Sequence, residues 1–226
     1  MVKRSNTQFK SKNEYLKEIT NDYKNIKSDI STRLAEFEQM GKHGSNLDLF
    51  CELAFCLFTP QSKAKSCSEA VSRLVDNDLI LSGSSDQLSD ELNIVRFRYT
   101  KAKNLIAARD IFLKNGELSF KVKLEQFQSS LETRDWLVQN VKGMGYKEAS
   151  HFLRNIGMGQ NLAILDRHIL KNLSIMGVID DIPNSMTPKK YLEIEKKLLS
   201  FAEDIKIPAD HLDLLLWYKQ TGEIFK

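Results

Sequence analysis

The chain has 226 residues, 42% hydrophobic and 28% charged, enough apolar material for one large or two small packed cores and unlike a disordered protein. Its 33 basic and 30 acidic side chains leave a formal charge of +3, which suits a nucleic-acid ligand without demanding one. No apolar run approaches the ~20 residues that span a bilayer. The opening MVKRSNTQFKSKNEY lacks a secretion signal's apolar stretch, and the three cysteines, Cys51, Cys56 and Cys67, fit reduced core thiols of a cytoplasmic protein.

In chain order, Tyr15, Ile19, Tyr23, Ile26, Ile30, Leu34 and Phe37 recur at spacings of three and four, which predicts a long amphipathic helix filling most of residues 1–44. The glycines at 41 and 44 end it. LDLFCELAFCLF follows, apolar nearly all round and opened by Ser45 with Asp48 three residues on, so a capped, deeply buried helix is expected there, limited by Pro60. Further helical patterns cover 62–76, 96–114, 131–141, 147–156, 166–176, 188–204 and 208–221. Pro188 and Pro208 stand where a first-turn proline is tolerated, and Asn115-Gly116 supplies a residue able to take positive φ at a helix end. No stretch alternates convincingly with period two, and no internal repeat or linker breaks the chain. The expectation is a single all-α domain of about ten helices.

In VKGMGYKEAS, two glycines flank one apolar residue between two helical patterns, so the chain turns tightly and leaves main-chain N–H groups facing outward to hold a phosphate. Gly143, Gly145 and Lys142 are the DNA-holding candidates. Lys147 opens the next helix, and nineteen residues later Asp166 opens another, in ILDRHILKNL. Taken singly, Lys147 reads as a surface lysine and Asp166 as a helix cap. Together, beside a phosphate-holding turn, they form an amine and a carboxylate that could converge on one sugar.

GMGYKEAS followed by ILDRHIL resembles the helix-hairpin-helix and Gly/Pro-Asp signature of the endonuclease III superfamily of DNA glycosylases. Within it, FTPQSKAK, ASHFLRNIG and the ending WYKQTGEIFK are similar to the archaeal and bacterial type-2 8-oxoguanine DNA glycosylase/lyases, a likeness running from about Leu47 to Lys226. The resemblance implies two packed helical subdomains with the active site in the cleft between them, the hairpin at about 141–147 and the aspartate segment at 162–171. It implies Lys147 as nucleophile on C1′, an attack that needs the unprotonated amine although a free lysine titrates near ~10.4. It also implies Asp166 as the carboxylate stabilising positive charge on the sugar. A Schiff base then allows strand cleavage by β-elimination.

Flipping a base out of a duplex leaves a hole, and Gln61 matches the position from which superfamily members insert a polar side chain. Trp217 and Lys226 match the aromatic and the terminal lysine that recognise the oxidised guanine in the resembling family, with Phe97 as a weaker candidate for the other wall of the pocket. Arg96, Arg98, Lys101 and Lys103 read as a solvated or phosphate-facing surface, and His151 and His168 as structural or phosphate-facing. The superfamily's four-cysteine iron–sulfur cluster is not expected, since no cysteine lies beyond Cys67, and neither metal nor organic cofactor is needed. The expected partner is double-stranded DNA carrying 8-oxoguanine or abasic sites, met by a monomer without a membrane. The same Lys147 and Asp166 would serve an endonuclease III-like enzyme for oxidised pyrimidines, against which the Lys226 ending argues. A non-catalytic DNA-binding module would need the glycines but neither Lys147 nor Asp166.

Overall fold

The computed structural model describes residues 11–226 and, among them, eleven α-helices and one two-stranded ribbon, so the fold is all-α as expected. Helix α1 (Lys12–His43) starts at Ser11, whose hydroxyl accepts from the Glu14 N–H while the Glu14 carboxylate accepts from the Ser11 N–H. One face buries Ile19, Tyr23, Ile26, Ile30 and Phe37, most of the predicted stripe. Residues 1–10 of the predicted N-terminal segment lie outside the described residues. Gly44 closes α1, whereas Gly41 lies within its last turn: a Cβ there would stand 2.1 Å from the Ile156 carbonyl oxygen, so only glycine lets α1 pass that turn.

Helix α2 (Asn46–Phe58) carries the same reciprocal cap, Ser45 with Asp48, and is buried from Glu52 to Phe58 without interruption. Ser45→Ala should lower stability by about 1 kcal/mol, the usual cost of losing such a cap, read as a lower urea midpoint at unchanged slope. An unchanged midpoint would mean that the box is satisfied equally well by water.

Around α2 pack α3 (Ala64–Asp76), α4 (Ser85–Glu91), α5 (Arg98–Phe112), α6 (Phe120–Leu124), α7 (Ser130–Asn140) and α8 (Tyr146–Asn155). Their shared core is aromatic: Phe112 and Phe120 stack at 4.1 Å, and Phe50 stands edge-on to both at 6.4 Å. A second core joins α1 to α9 (Arg167–Ile175), α10 (Pro188–Asp204) and α11 (Ala209–Thr221). The beginning of the described chain thus completes a subdomain built otherwise from its end. Lys219 of α11 ties that closure, reaching Glu18 at 2.7 Å and Asp22 at 3.0 Å on α1.

Three local expectations change. Asn115-Gly116 does not close a helix: it is the turn of a ribbon, β1 (Leu113–Lys114) with β2 (Glu117–Leu118), and both residues take positive φ, 54° and 83°. That pairing of angles matches the two-residue turn whose twist suits paired strands, so α5 stops at Phe112. Helices α4 and α6, of seven and five residues, are too short to show a helical period in sequence. Pro208 is the N-cap of α11 rather than a first-turn residue, while Pro188 does open α10. Among the described residues no helix is long and apolar enough to cross a membrane. Cys56 and Cys67 are buried and Cys51 half-buried, all three free; burial pushes the Cys67 thiol up to about 11.

Candidate active site

The hairpin between α7 and α8 turns on Gly143, which has φ +86° and lies so close to Asn104 that a Cβ would meet its side-chain nitrogen at 2.1 Å. Met144, between the glycines, drops into the first core. Two of the hairpin's amides already have partners, contrary to the expectation of free donors: the Met144 N–H donates to the Val141 carbonyl and the Gly145 N–H to the Glu148 carboxylate. Lys142 and Gly143 are exposed and stand outside the cleft, available to a phosphate strand.

Lys147 lies in the first turn of α8. Its ammonium is 3.3 Å from the Thr59 hydroxyl, at the end of α2, and 3.7 Å from Glu148. Asp166 is the N-cap of α9, accepting from the Ile169 N–H at 2.8 Å, and its other oxygen is left for the cleft. Both residues line one cavity of about 870 Å³ between the two cores, to which Gln61, Gly145, Trp217 and Lys226 also contribute. The sequence candidates therefore converge, with three exceptions. Lys142 and Gly143 sit on the hairpin behind Lys147. Phe97 is 55% exposed at the start of α5, with left-handed φ of 59° and the Arg96 guanidinium over its ring, and does not wall the cleft.

A buried network holds the two central residues in register. Glu195 of α10 takes both guanidinium nitrogens of Arg134, at 2.5 and 2.9 Å, and accepts from the Ala163 N–H at 2.8 Å. Arg134, on α7, also donates to Ser150 of α8, and the Tyr191 hydroxyl donates to the Ala163 carbonyl. The main chain three residues before Asp166 is thereby joined to the helix that carries Lys147.

Sequence reasoning read His151 and His168 as structural or phosphate-facing and passed over Asp213 and Glu52. His151 is buried in the cleft wall, edge-to-face with Phe55, and burial together with the Arg154 charge holds its pKa well below the usual imidazole value. His168 stands edge-on to Trp217 at 5.9 Å. Asp213, one turn before Trp217 on α11, is 3.5 Å from Arg154; burial pushes its pKa up to about 6, opposed by Arg154 and reinforced by Asp166. Glu52 could have been found: it is the one acid buried in an apolar helix, and a buried carboxylate requires a partner. Its partners are the Asn155 side-chain amide, which donates to it at 3.0 Å, and the Lys226 ammonium, which also lies 4.8 Å over the Phe55 ring, so the Lys226 side chain is anchored in the wall. Lys101, expected on a solvated surface, is instead buried. No three of the described His, Cys, Asp and Glu side chains converge as a metal set.

This arrangement has known counterparts. A family model described as 8-oxoguanine DNA glycosylase matches residues 30–207. A curated 8-oxoguanine DNA glycosylase/AP lyase of Fusobacterium nucleatum is 50% identical over 215 residues, covering 95% of this chain and 99% of that one. The crystal structure of the 8-oxoguanine DNA glycosylase of Thermotoga maritima superposes with a TM-score of 0.84 at 32% identity, covering 95% of this chain and all of that one. The 8-oxoguanine glycosylase/lyase of Methanocaldococcus jannaschii, solved with DNA containing 8-oxoguanine, superposes with a TM-score of 0.82 at 35% identity, covering 93% of this chain and 99% of that one.

Proposed function

The chain belongs to the 8-oxoguanine DNA glycosylase family, and we propose that it excises 8-oxoguanine from double-stranded DNA and then cleaves the strand 3′ to the abasic site, using Lys147 and Asp166. The observation that carries this is the meeting of Lys147, from the first core, and Asp166, from the second, in one cleft that also holds Trp217 and Lys226.

The unprotonated Lys147 amine attacks C1′ of the damaged nucleotide, and the bond from C1′ to the base breaks with its electron pair leaving on the base. Positive charge builds on the sugar as that bond stretches, and the Asp166 carboxylate, fixed by its cap to the Ile169 N–H, offers it a preorganised counter-charge. Loss of the ring oxygen bond leaves a Schiff base between Lys147 and C1′. Its electron withdrawal acidifies C2′–H, and removal of that proton expels the 3′ phosphate. Neither step calls for a metal or an organic cofactor.

A base of a duplex reaches such a cleft only once it is taken out of the stack. Trp217 offers an aromatic face on α11, and Lys226, anchored by Glu52, presents its main chain beside His151 for polar recognition. Gln61 projects from the cleft edge into the space such a base vacates. Lys142 and Gly143 would hold the flanking phosphate, whereas the Gly145 N–H is already spent on Glu148. We read the enzyme as a cytoplasmic monomer that works at the nucleoid.

One incubation tests the reading: duplexes carrying 8-oxoguanine or thymine glycol, with borohydride present. The expected result is a covalent adduct and strand cleavage on the 8-oxoguanine duplex. Preference for thymine glycol would reassign the substrate to oxidised pyrimidines, and absence of any adduct or cleavage on either duplex would leave only a DNA-binding module.

A further inference from the structure

Lys101 is 3% exposed, yet no carboxylate among the described residues pairs with it. Its ammonium instead donates three hydrogen bonds, to the Phe58 carbonyl at 2.6 Å, the Pro60 carbonyl at 3.0 Å and the Ser62 hydroxyl at 2.8 Å. The acceptors lie at the end of α2 and in the short connection leaving it, the segment that carries Thr59 and Gln61. Phe58 is the last residue of α2, where unpaired carbonyls and the negative end of the helix favour a cation. An ammonium with three donors and no acceptor suits three oxygens arrayed around it. Burial lowers the Lys101 pKa to about 8, so the ammonium form persists at neutral pH, held by these bonds.

The connection needs such a hold. Gln61 has φ +54°, a left-handed backbone that costs a non-glycine residue energy and persists only where the surroundings over-determine it. The Ser62 hydroxyl that receives Lys101 also accepts from the Arg96 N–H, coupling the connection to the start of α5. Thr59, between two of the carbonyls bound by Lys101, touches the Lys147 ammonium.

We propose that Lys101 is a positioning residue for the base-extrusion step: its three bonds hold the Thr59–Ser62 connection in the strained form that points Gln61 into the space left by the flipped nucleotide. The inference rests on the reading of Gln61 given above. A lysine placed this way acts on duplex substrates, where a hole must be filled, and not on a single-stranded abasic site, where none exists.

The experiment is a double-mutant cycle of Lys101→Met and Gln61→Ala, with single-turnover excision from 8-oxoguanine duplex and cleavage of a single-stranded abasic oligonucleotide measured for each protein. Each single variant should slow duplex excision by about 10-fold, while Lys101→Met should cost less than about 2-fold once Gln61 is Ala, the coupling expected of residues sharing one backbone shift. Cleavage of the single-stranded abasic site should stay within about 2-fold of the parent for Lys101→Met. Equal losses on both substrates, or additive losses in the double variant, would reduce Lys101 to a general support of the fold and overturn the proposal. A slow Gln61→Ala protein beside an unimpaired Lys101→Met protein would overturn it for Lys101 alone. An unimpaired Gln61→Ala protein would instead remove the premise about Gln61. If Lys101→Met does not fold, Ser62→Ala, which removes one of the three acceptors, enters the same cycle with the same expected pattern.

Discussion

Lys147→Gln should yield no borohydride-trapped adduct with 8-oxoguanine DNA, and excision should fall by on the order of 10⁴-fold or more, the scale on which enzymes lose rate with their nucleophile. Glutamine keeps a polar end that can still meet the Thr59 hydroxyl, so the cleft should retain its shape and its affinity for lesion duplex. Two other amines lie near enough to be considered as substitutes. Lys226 shares the cleft, but its ammonium is paired with Glu52. Lys101 has a lowered pKa, but its three donors are spent on Phe58, Pro60 and Ser62 and it does not line the cavity. Neither should therefore trap in place of Lys147. A residual adduct mapping to either lysine by peptide mass would show that the nucleophile was wrongly assigned.

Asp166→Asn should slow excision by about 10²- to 10³-fold, the usual loss when one preorganised electrostatic contact to a developing charge is removed. Asp166 does two things, since it caps α9 and faces the cleft, and asparagine separates them. Asn caps helices about as well as Asp, so the bond to the Ile169 N–H survives and the melting temperature should move little. Only the charge is lost. Asp166→Ala, by contrast, should lose both the rate and about 1 kcal/mol of stability. An Asn variant that excises at the parent rate would leave Asp166 a cap and nothing more, and Asp213, another carboxylate in the cleft wall, would become the candidate for charge stabilisation.

The proposed catalytic pair was legible through its setting, since the hairpin before Lys147 and the cap at Asp166 are local features that survive without tertiary context. A hairpin needs a positive-φ residue, and Gly143 advertises it; a helix needs a cap, and Asp166 supplies one. The amphipathic stripe of α1 and the all-round apolarity of α2 were equally visible, since each follows from how much of a helix surface is buried. Phe97 and Lys101 were misjudged for one reason. Basic and aromatic residues alternate over 96–99 and further lysines stand at 101 and 103, and in sequence nothing tells which of them faces inward. Lys101 turns to the core because three carbonyl and hydroxyl oxygens wait there, and Phe97 stays out on a left-handed backbone. Asn115-Gly116 was misread because a positive-φ pair ends a helix or turns a ribbon, and the choice lies with the residues it brings together.

The sequence by itself determined the longer elements and the candidate residues: which long segments are helical, and that an amine and a carboxylate open two of them. Those properties depend on neighbours within a few residues, through hydrogen bonds, caps and periodic apolarity. Only the tertiary structure decided that Lys147 and Asp166 belong to opposite walls of one cleft, that α1 closes the subdomain built from the end of the chain, that His151 and Asp213 face the site, and that Glu52 pairs with Lys226. These are long-range placements, set by how two hydrophobic cores pack and by the Arg134, Glu195 and Tyr191 network that joins them.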